Sequence, residues 1–396
     1  GGNYNTVIGD EAGTALTTGD ENVAIGYAAL DAEDTGSRST AVGHAALGAQ
    51  NNDANNYNVA VGFDAGKTIN TGQYNTLVGA SAGDALTTGA ANVAIGWDAL
   101  GGEDAHGHNV AVGYEALQLL DAGANGENVA VGYLAGTEMT TGQFNVGVGS
   151  HAMDSQTAVN QNVAVGYHAG SSNVSGAENV FVGAQAGYAT TGGYNTFTGY
   201  HAGTATTSGA YNTFVGRKAG FSNTTGLYGV CIGSGAGAAH GNGNATEGTT
   251  AVGYNAGNSI TTGDNNTVMG HLAADVLATG SRCVILGYAA AASANNVDDE
   301  IVIGSSATGK GTDTSFISAN GGPIYAGNNS ASLSTTSDRR IKKNIEDNNT
   351  GLDKINQLRV RNFEYRLPEE VDSELPQSAA IDKEGVQLGV IAQEAM

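Results

Sequence analysis

The chain has 396 residues, 62 of them glycine, and carries 38 acidic against 15 basic side chains for a formal charge of −23. This excess of negative charge argues against nucleic acid as a partner. No apolar stretch approaches the length needed to span a membrane, and the glycines lack the Gly-X-Y period of collagen.

Taken in order, the chain is a repeat. Its unit is clearest at Asn92-Val93-Ala94-Ile95-Gly96-Trp97-Asp98-Ala99-Leu100. The central glycine, position 0, recurs at Gly9, Gly26, Gly43, Gly62, Gly79, Gly96, Gly113, Gly132, Gly149, Gly166, Gly183, Gly199, Gly216, Gly233, Gly253, Gly270, Gly287 and Gly304. In 13 of the 17 steps between these 18 copies the numbering rises by 17, and alanine always stands at +3. A short, regular period predicts a solenoid. One solenoid and a tail thus replace the two or three domains that length alone suggests.

Each copy predicts one short strand. Position −3 is Val, Thr or Ile throughout, and −1 is β-branched except at Met269 and Leu286. These two share one strand face, and −2, mostly alanine with Leu77, Phe181, Phe197 and Phe214 as larger versions, lies on the other. Both faces are apolar, as in a strand covered on both sides. One lines the coil, and the simplest cover for the other is an identical chain; a threefold arrangement would bury three such faces on one axis, though the apolar face by itself does not set the number. A single coil cannot offset the entropy of ordering its own backbone, so only stacking makes it stable.

Glycine at 0 implies a sharp turn or close backbone approach, and Thr-Gly pairs such as Thr71-Gly72 and Thr141-Gly142 mark a return turn. Asparagine at −4 in 13 copies predicts an amide ladder along the stack. Acidic stretches such as Ala32-Glu33-Asp34, Glu103-Asp104 and Asp298-Asp299-Glu300 are expected to be solvated loops, without bound metal, that keep the rod soluble. Residues 1–330 hold 26 acidic and 6 basic side chains, a net −20. Cys231 and Cys283 sit at different repeat positions, so a disulfide between them is not expected; they predict two small buried residues. No signal peptide is visible. The chain opens inside a repeat, so removal of an upstream part is expected.

Two sets of side chains are candidate sites. Aromatic residues follow the glycine at Tyr27, Phe63, Trp97, Tyr114, Tyr133, Tyr167, Tyr200, Tyr254 and Tyr288. Such a stripe suits stacking on sugar rings of a receptor, or contact with a sister chain. His151, His168 and His201 stand at +2, with Gln185 between the last two. They are candidates for an anion or metal site across a trimer, or are ordinary surface histidines. No catalytic constellation stands outside the periodic positions, so the rod is expected to be non-enzymatic and to need no cofactor.

The period ends after Gly304. Residues 310–336 are rich in Gly, Ser, Asn and Thr and predict a connector, with short apolar pieces at Phe316-Ile317 and Ile324-Tyr325. The last stretch, 337–396, predicts a small α+β segment: a helix from Gly351 to Leu358 and strands at Val360 to Arg366 and Val386 to Ile391.

The Asn-Val-Ala-Ile-Gly core with its following alanine resembles the head repeats of trimeric autotransporter adhesins from Asn3 to about Ser305. That resemblance implies an all-β, left-handed parallel β-roll of about 18 coils in a homotrimer. At about 4.8 Å per coil the rod would be about 85 Å long. The tail, through Ser337-Asp338-Arg339-Arg340-Ile341-Lys342-Lys343-Asn344-Ile345 and Leu388-Gly389-Val390-Ile391-Ala392-Gln393-Glu394, resembles the start of the self-cleaving intramolecular chaperone of phage tailspikes, tail fibres and endosialidases. It implies trimerisation ahead of fibre assembly, then a cut at Ser337 as nucleophile with Lys342 as base, Asp338, Arg340 and Asn344 being motif residues. A serine hydroxyl needs such a base, and a lysine with depressed pKa can serve. An ordinary helix cap at Ser337 or Asp338 is the alternative. The combined expectation is a host-recognising trimeric tail fibre on a virion, binding a surface glycan or protein. The other is a bacterial cell-surface adhesin or extracellular filament built from the same parts.

Overall fold

The computed structural model describes residues 2–123, 125–239, 247–319, 322–326, 360–363 and 386–390. The chain divides into two compact units, Gly1–Thr336 and Ser337–Met396.

The first unit is a parallel β-solenoid. Eighteen three-residue strands, from Thr6–Ile8 to Ile301–Ile303, each contribute one rung. Every rung pairs one-to-one with the next, as Val93↔Val110, Ala94↔Ala111 and Ile95↔Val112 show. Irregular spacings do not disturb this. Val110 still faces Val129 and Val230 faces Thr250 across lengthened coils, and Val180 faces Thr196 across a shortened one. A one-residue slip would turn buried side chains outward, so the apolar pattern holds the register and the loops absorb the difference.

Position −2 is the inward face. Ala94, Phe181, Phe197 and Phe214 are fully buried, and so is nearly every +3 alanine. Positions −3 and −1 face outward and stay half-exposed, with Val61, Val78, Ile95, Val165 and Ile232 each at least 36% accessible.

The position-0 glycines have φ between +127° and +147°, a region closed to residues with a side chain. At Gly113 a Cβ would lie 2.1 Å from the Gly132 carbonyl oxygen, and at Gly199 2.5 Å from that of Gly216. The coil therefore turns here, directly against the same turn of the next coil.

Asparagine at −4 is fully or almost fully buried from Asn22 onward and ties coil to coil. Its Oδ1 accepts the backbone N–H of the −4 residue one coil on, as from Asn109 to Asn92 at 2.9 Å and Asn162 to Asn145 at 3.0 Å. Its Nδ2 donates across the interior to the return turn, as Asn75 does to the Gly89 carbonyl at 2.9 Å and Asn145 to that of Val159 at 2.8 Å. Amide-to-amide contacts run alongside in places, such as Asn145 Nδ2 to Asn128 Oδ1 at 3.3 Å. The ladder is thus largely a side-chain clasp on backbone, in a space where unpaired amides would cost about 1–3 kcal/mol each.

The expectation of solvated acidic loops is corrected at three residues. Glu33, Glu103 and Glu300 are fully buried. Glu33 Oε1 accepts the Gly36 N–H at 2.7 Å, while its Oε2 accepts from Gln50 and Asn56 at 3.0 and 3.1 Å. Glu103 accepts the His106 N–H at 3.0 Å, and Glu300 the N–H groups of Ser293 and Gly311. These carboxylates cap return-turn donors that the narrow coil hides from water. Cys231 and Cys283 are buried free thiols, and burial pushes that of Cys231 up to about 12.

Strand Ser315–Ala319 adds in parallel to Ile301–Ile303 and pairs antiparallel with strand Gly322–Ala326, so the sheet runs on into the stretch read as a connector. In the second unit, Val360–Phe363 pairs antiparallel with Gln387–Val390, within both expected strands. The expected helix from Gly351 to Leu358 lies outside the described residues. Among the described residues no helix is long and apolar enough to cross a membrane.

Candidate functional site

The chemistry-bearing side chains stand in vertical columns, because each repeat position stacks on itself once per coil. At +1 the rings of Tyr27, Phe63, Trp97, Tyr114, Tyr133, Tyr167 and Tyr200 are all exposed, as are Tyr254 and Tyr288. Consecutive members stack: Trp97 on Tyr114 with centroids 4.9 Å apart, and Tyr114 on Tyr133 at 5.3 Å. His44 bridges Tyr27 and Phe63 at 5.3 and 4.7 Å, and His271 bridges Tyr254 and Tyr288 at 5.0 and 5.3 Å. Both histidines hold the +1 position and belong to the stripe. A count of Phe, Trp and Tyr alone passes over them.

A second stripe stands at −5 and was not anticipated from the sequence. Tyr4, Tyr57, Tyr74, Phe144, Tyr194, Tyr211 and Tyr228 are all exposed there, with Tyr194 stacked on Tyr211 at 4.8 Å and Tyr211 on Tyr228 at 5.2 Å. The recurring Tyr-Asn pair at Tyr57-Asn58, Tyr74-Asn75, Tyr194-Asn195 and Tyr211-Asn212 is the signal that marks it. The −5 residues are left-handed, with φ near +60°, even where they are tyrosine. Such a residue costs about 1–2 kcal/mol. Ladder bonds to the preceding coil offset this, such as Tyr74 N–H to the Asn56 carbonyl at 2.8 Å. Positions −5, −3 and −1 alternate with the buried −4 and −2, and the exposed +1 residue follows the glycine turn, so aromatic residues stand at both ends of the β-branched segment.

The three +2 histidines are not one group. His151 and His168 stack with centroids 4.6 Å apart. Asp154, at +5 of the first coil, lies between their Nδ1 atoms: its Oδ2 is 2.9 Å from His151 and 3.9 Å from His168. Its Oδ1 accepts the hydroxyl of Ser171, the +5 residue one coil on. Burial lowers the His168 pKa, opposed by Asp154 and reinforced by the His151 ring. His201 stands apart, its Nδ1 3.2 Å from the Thr204 hydroxyl that replaces the aspartate. Burial lowers its pKa too, helped by the positive charges of Lys218 and Arg217.

A second cluster joins Glu103, Asp104, His106 and Asp121. Glu103 Oε1 already accepts both the backbone N–H and Nδ1 of His106, and Oε2 accepts the Ala122 N–H at 3.3 Å. It reads as a capped return turn.

Ser337, Lys342, Asp338, Arg340 and Asn344 lie outside the described residues, so no geometry bears on the expected dyad. Their segment matches a known family: residues 337–396 fit the family described as chaperone of endosialidase. No curated protein matches the chain.

Proposed function

We propose that a solenoid continued by a segment similar to the chaperone of endosialidase is the shaft of a homotrimeric fibre, its outward β-branched ladder turned toward the threefold axis. The solenoid and the matched segment fit a trimeric fibre with an assembly chaperone. The supporting observation is the ladder itself. It repeats over 18 rungs, stays half-exposed in the single chain and is flanked by the two ring columns. Monomeric proteins rarely leave so continuous an apolar patch in water. Each rung adds little, and the repetition sums it along the whole stack.

In this reading the matched segment brings three chains together, and pairing spreads coil by coil through the rod. Surfaces outside the seam remain for a glycan or protein of a host surface, as in the tail fibre of a virion or another extracellular fibre. Self-processing belongs to the same proposal. The Ser337 hydroxyl attacks the Thr336 carbonyl as Lys342 takes its proton, the ester that forms frees the Ser337 amine, and water opens the ester once per chain.

Native mass spectrometry of the full chain beside Ser337→Ala tests both parts. Expected is a wild-type trimer of chains shortened at Ser337, and a Ser337→Ala trimer at three times the 39.6 kDa chain mass. A folded monomer overturns the fibre reading. An uncut wild-type trimer overturns self-processing alone.

A further inference from the structure

We infer that His151, Asp154 and His168 form a binding site for one divalent transition-metal cation of the zinc type within each chain. The fold brings the three donors together. Two imidazoles one coil apart are held nearly parallel, 16° between planes, with both Nδ1 atoms toward the same carboxylate. One ligand atom from each of the three residues lies within 4.8 Å of the others. Donors around a zinc ion at about 2.0–2.1 Å stand roughly 3 Å apart. The edges from Asp154 to His151 and His168, 2.9 and 3.9 Å, bracket this, and the stacked rings turn toward each other to bring both Nδ1 lone pairs onto one ion.

His168 Nδ1 is shielded from solvent and has no hydrogen-bond partner. A nitrogen in that state carries a desolvation cost that a cation between the three donors would remove. The other carboxylate oxygen is held by the Ser171 hydroxyl, the kind of outer contact that fixes a ligating carboxylate. Two imidazoles and one carboxylate select zinc, cobalt, nickel or copper over magnesium or calcium. All three side chains are only partly buried, which leaves room for water to complete the coordination. Binding needs the Nδ1 lone pairs of neutral rings, so His151 moves its proton from Nδ1 to Nε2, and no covalent bond between heavy atoms changes.

The site is local to these two coils. His201 has the same repeat position, but Thr204 replaces the aspartate and Lys218, one coil on, puts a positive charge in the matching place.

Isothermal titration of zinc chloride into the untagged, assembled protein tests the proposal, beside Asp154→Asn, His168→Asn, Ser171→Ala and His201→Asn. Asp154, His168 and His201 are partly exposed and Ser171 is buried, and circular dichroism melts without metal confirm that each variant folds. Expected is one equivalent of zinc per chain that Asp154→Asn and His168→Asn lose and His201→Asn keeps. Ser171→Ala keeps the stoichiometry and binds about tenfold more weakly. Wild type, Asp154→Asn and His168→Asn giving superimposable titrations overturns the site. So does loss of the same equivalent in His201→Asn.

Discussion

Two stretches of the solenoid share one backbone and fill it in opposite ways. Near Phe181, Phe197 and Phe214, the −2 side chain occupies the interior, and the Phe197 and Phe214 rings stack at 4.8 Å with 6° between planes. Glycine stands at +4 in those coils, and Gly203 lies so close to the Phe197 ring that a Cβ there would come within 2.5 Å of it. Around Ala24 and Ala41 the interior is taken by Leu30 and Leu47 at +4, with Glu33 and Gln50 at +7. A third filling puts the bulk at +7, as in Ile69, Leu86 and Met139, again with glycine at +4. The glycine column does not change among these fillings, and asparagine holds −4 in all of them except at Ser39. The comparison separates what fixes the coil, backbone approach and clasping amides, from what only fills it.

The largest expected effect comes from breaking the shared part. Gly199→Ala needs φ of +135° and puts a Cβ 2.5 Å from the Gly216 carbonyl oxygen, so it should cost about 4 kcal/mol or more. Chemical denaturation followed by circular dichroism checks this, and wild-type stability would show that the stack can part locally. Next, Phe197→Ala should cost about 3–4 kcal/mol through the cavity it leaves. Phe197→Ala with Gly203→Leu should recover at least half of that, because leucine already adopts φ of +50° to +56° at +4 in Leu30, Leu47, Leu100 and Leu117. No recovery in the double variant would mean that the interior is not interchangeable between columns. The smallest of the three is Glu33→Ala, at about 2–3 kcal/mol. It strands the Gly36 N–H and leaves the Gln50 and Asn56 amides short of an acceptor. Amide exchange at Gly36 should rise with it, and protection at wild-type level would show that water substitutes for the carboxylate.

The rungs and the glycine turn were legible in the sequence because each follows from strand alternation nested inside the longer repeat, whereas both strand faces read as apolar and only the structure shows that −2 points inward. Buried Glu33, Glu103 and Glu300 were not, since a carboxylate reads as solvated until its donors are seen, and Gly36 supplies one only because the coil closes on itself. Nor were the left-handed residues at −5 and +2, such as Tyr211 and His168. No local preference puts tyrosine or histidine at positive φ. The hydrogen bonds that hold them come from the preceding coil, as from the Gly193 and Ser150 carbonyls. Of the candidate sites, the +1 stripe was visible as a column. Asp154 was missed because it joins His151 and His168 through a different repeat position.

Registration that survives lengthened and shortened coils alike has a mechanical corollary. Height along the axis counts rungs, not amino acids, so whole repeats can be excised or duplicated and the shaft shortens or lengthens in steps of about 4.8 Å. Such a molecule is graduated like a ruler. Loops can vary in size without altering the reach of whatever is mounted at either end.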